Sequence, residues 1–172
     1  PLRTYTAQSG LIGDSGSDVK SARAVFSSKQ QLYSNKKGSV SADLLFKDSS
    51  GVILTKTFSL DPDSYLINVS YKVNNQSNTP WQGTFYSQIS RDNSEDPGMD
   101  SSGFGMRSYL GTATTTEDSP YEKISFKDIE KENFRNSQQG GWVSMIQHYF
   151  VSAWIPDQQS TQHYFTKKSR SG

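Results

Sequence analysis

Apolar and polar residues alternate along the clearest run of the chain, Tyr65 to Val73, written YLINVSYKV. Tyr65, Ile67, Val69, Tyr71 and Val73 fall on one side and Asn68, Ser70 and Lys72 on the other, so the run predicts a strand with one buried face. Val52 to Leu60 alternates in the same way, with Val52, Leu54, Phe58 and Leu60 opposite Thr55, Thr57 and Ser59. The intervening Asp61-Pro62-Asp63-Ser64 has turn chemistry, because Pro fixes φ and Asp bonds its own local backbone. The two runs therefore predict a β-hairpin. Ser41 to Phe46, Trp81 to Arg91 and Tyr121 to Phe126 are further strands.

Helical periodicity is scarce. Ser17 to Gln31 fits either a short helix or a strand pair, and Phe126 to Glu132 supports one amphipathic turn. Asn93 to Gly105 has no apolar period and predicts a long loop. The densest apolar run is GGWVSMIQHYFVSAWIP, Gly140 to Pro156. It is shorter than the roughly 20 apolar residues of a membrane-spanning helix, and Gln147 and His148 interrupt it. Aromatic and β-branched content, the opening glycine pair and the closing Pro156 favour a long strand covered on both faces.

Composition narrows the function classes. The 172 residues, 32% hydrophobic, fit one globular domain over 1–172. Eighteen basic and seventeen acidic residues leave a net charge of +1 with no long block of either sign, so nucleic acid is not an expected partner. Lys167, Lys168 and Arg170 form the best basic cluster and read as a solvated tail. The absence of cysteine removes disulfides, thiolate metal sites and thiol nucleophiles. With Pro1 and Leu2 at its start and no initiator Met, the chain reads as an excised piece of a longer protein.

Candidate chemistry is thin. Of the two histidines, His148 and His163, His148 could serve as a general base or sugar-binding donor on a sheet face, but no carboxylate at a readable spacing is tied to it. Asp92, Glu95, Asp96 and Asp100 crowd one loop without the order of a calcium loop. No phosphate-binding, zinc-protease or serine-hydrolase motif occurs, and Asn68-Val69-Ser70 matches a glycosylation acceptor inside a predicted strand. No cofactor, metal ligand or catalytic residue is expected.

A more specific signal lies in the order of several short motifs: Ala7-Gln8-Ser9-Gly10-Leu11, Thr57-Phe58, Tyr65-x-Ile67-x-Val69-x-Tyr71 and Tyr121-Glu122-Lys123. These are followed by Gly140-Gly141-Trp142-Val143-x-Met145-x-Gln147, Tyr149-Phe150 and Ala153-Trp154-Ile155-Pro156. Over nearly the whole chain they resemble the large periplasmic domain of the YidC insertase family, which lies between that family's first two transmembrane segments. The resemblance implies an all-β, antiparallel β-supersandwich related to galactose-mutarotase folds, incomplete in this chain because the family domain has further strands on both sides.

It also implies a non-enzymatic periplasmic segment of a multi-pass bacterial inner-membrane protein that inserts and folds membrane proteins, alone or with the Sec translocon. The family's insertion groove lies among transmembrane helices to which no residue here corresponds. Its partners are nascent membrane proteins and accessory Sec subunits, the latter contacting the region that leads into the GGWV motif. By position this makes Tyr121, Glu122, Lys123, Phe126, Lys127 and Asp128 a candidate partner surface, with Trp142, Phe150 and Trp154 as core anchors. A carbohydrate-binding or aldose-epimerase-like protein of the same architecture, using His148 or His163, is the alternative.

Overall fold

A computed structural model of the chain describes residues 3–19, 22–34, 38–94 and 109–169. In chain order the strands before the helix are β1 (Tyr5–Ile12), β2 (Asp18–Val19), β3 (Ala22–Arg23), β4 (Ser27–Ser28), β5 (Val40–Lys47), β6 (Val52–Leu60), β7 (Ile67–Asn75), β8 (Thr84–Arg91), β9 (Gly111–Thr114) and β10 (Glu122–Ser125). The helix α1 (Phe126–Lys131) follows, then β11 (Arg135–Gln139), β12 (Val143–Ile146), β13 (Val151–Trp154) and β14 (Thr161–Phe165). Among the described residues the chain is all-β apart from one short helix, and its two larger sheets are antiparallel throughout, in keeping with a sandwich. Among the described residues no helix is long and apolar enough to cross a membrane.

Contacts divide the chain into two compact units: Gly10–Tyr86, and Pro1–Ser9 with Ser87–Gly172. In the first, the sheet runs β4-β5-β6-β7. Its register sets Leu54 of the central strand opposite Phe46 on one side and Val73 on the other. Strand alternation points all three to one face, where Leu11, Val52 and Leu54 form the core, with Phe26, Phe46, Tyr71, Val73 and Trp81 packed on it. Trp81 also donates its indole N–H to the Ser15 carbonyl at 2.8 Å.

The expected hairpin is present, but its buried face is shorter than the alternation suggests. Val69, Tyr71 and Val73 are half-buried, whereas Tyr65 is fully exposed and Leu60 and Ile67 are also exposed. The residues that cover the sheet, Leu11, Phe26 and Trp81, gather at its Leu54 end. Ser64 lengthens the turn by donating its N–H to Asp61 O and accepting from Leu66 N, so β7 starts two residues after Tyr65. Within Ser17–Gln31 the strand option holds: β2 pairs with β3, and β4 pairs with β5.

The second unit carries the sheet β10-β9-β12-β13 and the two-stranded pair β11-β14. Gly140 to Pro156 is not one long strand. It enters β12, turns at Gln147–Phe150 and returns as β13, with Val143 opposite Trp154 and Ile146 opposite Val151. The Gln147 N–H donates to the Phe150 carbonyl at 2.8 Å and closes the turn. Gln147 and His148, the polar pair inside the run, sit where the chain reverses, a position their solvation favours.

The interior of this unit mixes Ala113, Ile124, Met145 and Tyr164 with buried Thr112, Thr114, Ser144 and Gln138. Each hydroxyl has a carbonyl: Thr112 donates to Ile124 O at 3.0 Å, Thr114 to Trp142 O at 2.8 Å and Ser144 to Ala113 O at 3.2 Å. Buried polar groups satisfied in this way avoid the desolvation cost that unpaired ones carry.

Candidate partner-binding surface

The stretch Tyr121–Asp128 is positioned by the sheet edge. β10 is the outer strand beside β9, with Glu122 opposite Thr114, Lys123 opposite Ala113 and Ile124 opposite Thr112. Alternation sends Ile124 into the interior and Lys123 outward. The Lys123 ammonium lies 4.9 Å from the Tyr109 ring centre and 5.8 Å from that of Tyr121, a cation–aromatic arrangement. Tyr121 is 48% exposed, and its ring stands 5.9 Å from that of Trp142. Tyr109 donates its phenol to Thr112 O at 2.6 Å, and burial pushes its pKa up to about 12, so it stays neutral beneath the lysine.

Ser125 ends the strand and caps α1. Its hydroxyl oxygen accepts from the Asp128 N–H at 3.2 Å, while the hydroxyl donates to the Asp128 carboxylate at 2.5 Å. That hydrogen bond holds the Asp128 carboxyl below the usual range, with a smaller contribution from Lys131, whose ammonium is 3.9 Å away. Phe126 is half-buried under the Arg91 guanidinium at 5.8 Å, Glu122 is half-buried and Lys127 is exposed. The six expected residues thus occupy one strand–helix corner, in distinct roles. Tyr121, Lys123, Lys127 and Asp128 face solvent, while Glu122 and Phe126 are partly covered.

Lys168, read from the sequence as part of a solvated tail, bonds Glu130 of α1 at 2.9 Å and so joins this corner. The pairing brings together residues 38 positions apart and has no local signal. Both partners are largely exposed, so the ion pair contributes position more than stability. Charges of both signs around an exposed tyrosine suit a protein partner better than a polyanion.

The proposed anchors behave differently from one another. Trp142 is half-buried against Tyr121. Trp154 is half-buried and donates its indole N–H to Gln88 O at 3.0 Å. Phe150 is 72% exposed at the β12–β13 turn and anchors no core. A run expected to be covered on both faces instead reverses at that residue.

The glycine pair has a structural explanation that sequence reading missed. Gly140 and Gly141 have φ of +60° and +92°, a region that side chains disfavour. The Gln158 side chain acts as a clip on Gly141, accepting from its N–H and donating to its carbonyl, both at 3.0 Å. Tyr164 donates its buried hydroxyl to Gly140 O at 2.7 Å. The pair thereby fixes the entry into β12 directly before Trp142.

Among the described residues the remaining candidate side chains are engaged locally rather than gathered beside this surface. His163 shares a 2.7 Å hydrogen bond between Nδ1 and the hydroxyl of Ser137, its exposed cross-strand partner. His148 lies edge-on to Tyr149 at 4.0 Å between ring centres. Asp92 is engaged locally: its carboxylate accepts from Ser94 N, the Ser94 hydroxyl and Thr4 N, which hold its pKa well below the usual range. Glu95, Asp96, Asp100 and Arg170 lie outside the described residues. Among the described residues no three metal-ligating side chains converge.

The chain matches the family model described as YidC periplasmic domain over residues 1–172. Similar curated proteins include the membrane protein insertase YidC of Saccharophagus degradans, 46% identical over 98% of this chain and 30% of that protein. Those of Cellvibrio japonicus and Alcanivorax borkumensis are 45% and 43% identical over 96% and 94% of this chain, covering 30% and 28% of their own lengths. The chain thus spans less than a third of these relatives.

Proposed function

The chain belongs to the YidC periplasmic domain family, and from that premise we propose that it is the partner-binding periplasmic scaffold of a bacterial inner-membrane insertase. On this reading both compact units belong to one domain between the first two transmembrane segments. The parent protein inserts and folds membrane proteins, alone or with the Sec translocon, and this domain contributes binding rather than catalysis. The observation that carries the reading is the family match along all 172 residues.

The strand–helix corner of Tyr121, Lys123, Lys127 and Asp128 is the surface that contacts accessory Sec subunits. Two features support the choice. Tyr121 and Lys123 stand outward with their rings and ammonium already ordered by Tyr109 and Trp142, which lowers the entropy lost on docking. The surface also offers both charge signs around an aromatic centre, the composition of a protein-binding patch.

A photo-crosslinking residue placed at Lys123 or Lys127 of the full-length protein in living cells should form adducts with an accessory Sec subunit. The same residue at Ser41, in the other unit, should not. Equal adducts at all three positions, or none at the first two, would remove this surface from the reading.

A further inference from the structure

The tip of the β12–β13 hairpin holds a surface that the partner-binding reading leaves unused. Tyr149 is 80% exposed, Phe150 72% and Val151 66%, and Ile155 is exposed just beyond β13. Four large side chains exposed within seven residues leave apolar surface in water, where each gains by burial. The tip is well defined: Gln147 N–H to Phe150 O closes the turn, and His148 lies against the Tyr149 ring.

Charge identifies the occupant. From Gly140 through Pro156 the sequence has no Asp, Glu, Lys or Arg, whereas charged residues are 20% of the chain as a whole. A protein-docking patch normally carries charged residues in its rim, and this hairpin supplies none. The boundary between lipid headgroups and acyl chains asks for something else: an aromatic ring with a polar tip at headgroup level and apolar side chains just below. Tyr149 followed by Phe150 and Val151 at a reversal of the chain has that composition.

We propose that the β12–β13 hairpin tip is a membrane-interface anchor, with Tyr149, Phe150 and Val151 entering the headgroup–acyl boundary of a bilayer. It rests on the membrane-tethered reading in one respect, the tether. The tether sets only where the contact occurs; the three side chains carry the affinity themselves, so the free chain binds vesicles as well. Because the hairpin has no Lys or Arg, its lipid contact is hydrophobic and does not depend on anionic headgroups.

Flotation of the full chain with zwitterionic phosphatidylcholine vesicles tests this. The chain should co-float, equally well when phosphatidylglycerol is added and at low or high salt. The double variant Tyr149→Ser, Phe150→Ser should bind about tenfold or more weakly, as expected from removing two buried aromatic contacts. Its urea midpoint should be unchanged, since both side chains are exposed.

As the chain has no cysteine, Phe150→Cys can carry a single environment-sensitive dye. That dye should shift to the blue with vesicles and be quenched by brominated lipid, while the same dye at Lys47→Cys should not respond. Absence of co-flotation together with an unresponsive dye at 150 overturns the proposal. So does binding that needs anionic lipid, or a double variant that floats like the unaltered chain. Self-association through the hairpin, or capture of an apolar peptide while vesicles leave the chain free, would assign the tip to those occupants instead. Sec cross-links from Lys123 that persist while flotation fails would leave the partner reading standing and remove only the anchor.

Discussion

Replacing Gly141 by alanine adds one methyl group and should destabilise its unit through two separable effects. The first is conformational: φ is +92°, and an L-residue held in left-handed backbone costs about 1–2 kcal/mol. The second is steric, because a Cβ built on Gly141 collides with Nε2 of Gln138, a side chain buried in the interior. Gln138 accepts from Asn136 Nδ2 at 3.1 Å, and pushing its amide off that partner costs about 1–3 kcal/mol for a polar group without its hydrogen bond. Together they predict a loss of about 2–5 kcal/mol. Urea unfolding followed by tryptophan fluorescence reads it, since Trp142 and Trp154 both lie in this unit.

A double-mutant cycle separates the two effects. In a Gln138→Ala background the colliding amide is gone, so Gly141→Ala should cost only the conformational part, about 1–2 kcal/mol. An equal cost in both backgrounds would show that Gln138 is not the obstacle. A loss below about 0.5 kcal/mol, the ordinary range of a surface change, would refute the strained entry into β12 altogether.

Two other substitutions probe the remaining elements. Leu54→Ala, at the centre of the Gly10–Tyr86 core and 2% exposed, should lose about 2–5 kcal/mol in the same assay, and a loss near zero would contradict the placement of that core. Ser125→Ala removes the cap of α1 and should cost about 0.5–2 kcal/mol at neutral pH. The capped carboxyl of Asp128 has a folded pKa below its unfolded value. Its contribution is therefore present above the unfolded pKa, about 3.9, and is lost as pH falls through the depressed folded value. The stability gap between Ser125→Ala and the unaltered chain should narrow on that acid side, and a gap that widens there has the wrong sign.

How much of this was legible in the sequence depended on whether the signal was local. Val52–Leu60 and its partner strand were visible because each alternates, and α1 was visible as a single amphipathic turn. The all-β architecture followed from the same short punctuated runs. Tyr65 was misplaced because alternation reports which residues share a face and not how far the cover reaches. Leu11, Phe26 and Trp81 supply that cover from distant positions.

The hairpin within Gly140–Pro156 was hidden by its own apolarity, which fits a covered strand as well as an exposed turn. The better clue was length: strands commonly have about 5–6 residues, and a polar Gln147-His148 pair divides this run near its middle. The glycine pair was read only as punctuation. Its clip depends on Gln158, and the room beside it is limited by Gln138, both of which the fold brings to Gly141. At the partner corner, Tyr121, Lys123 and Asp128 were identified by position in the family, but the contributions of Tyr109, Ser125 and Lys168 appear only once β9, β10 and α1 are assembled.

The central claim, that this chain is the periplasmic domain of a membrane-embedded insertase, is tested most directly in the cells it comes from. An antibody raised to the 172 residues, used after alkaline carbonate extraction and after protease treatment of spheroplasts, reads size, membrane integration and side together. The account predicts a polypeptide roughly three times the 19.2 kDa of this chain, as the 28–33% coverage of its relatives implies. It should resist carbonate and be cut from the periplasmic side. A product near 19.2 kDa that carbonate releases, or an epitope shielded until the cytoplasm is opened, would contradict it.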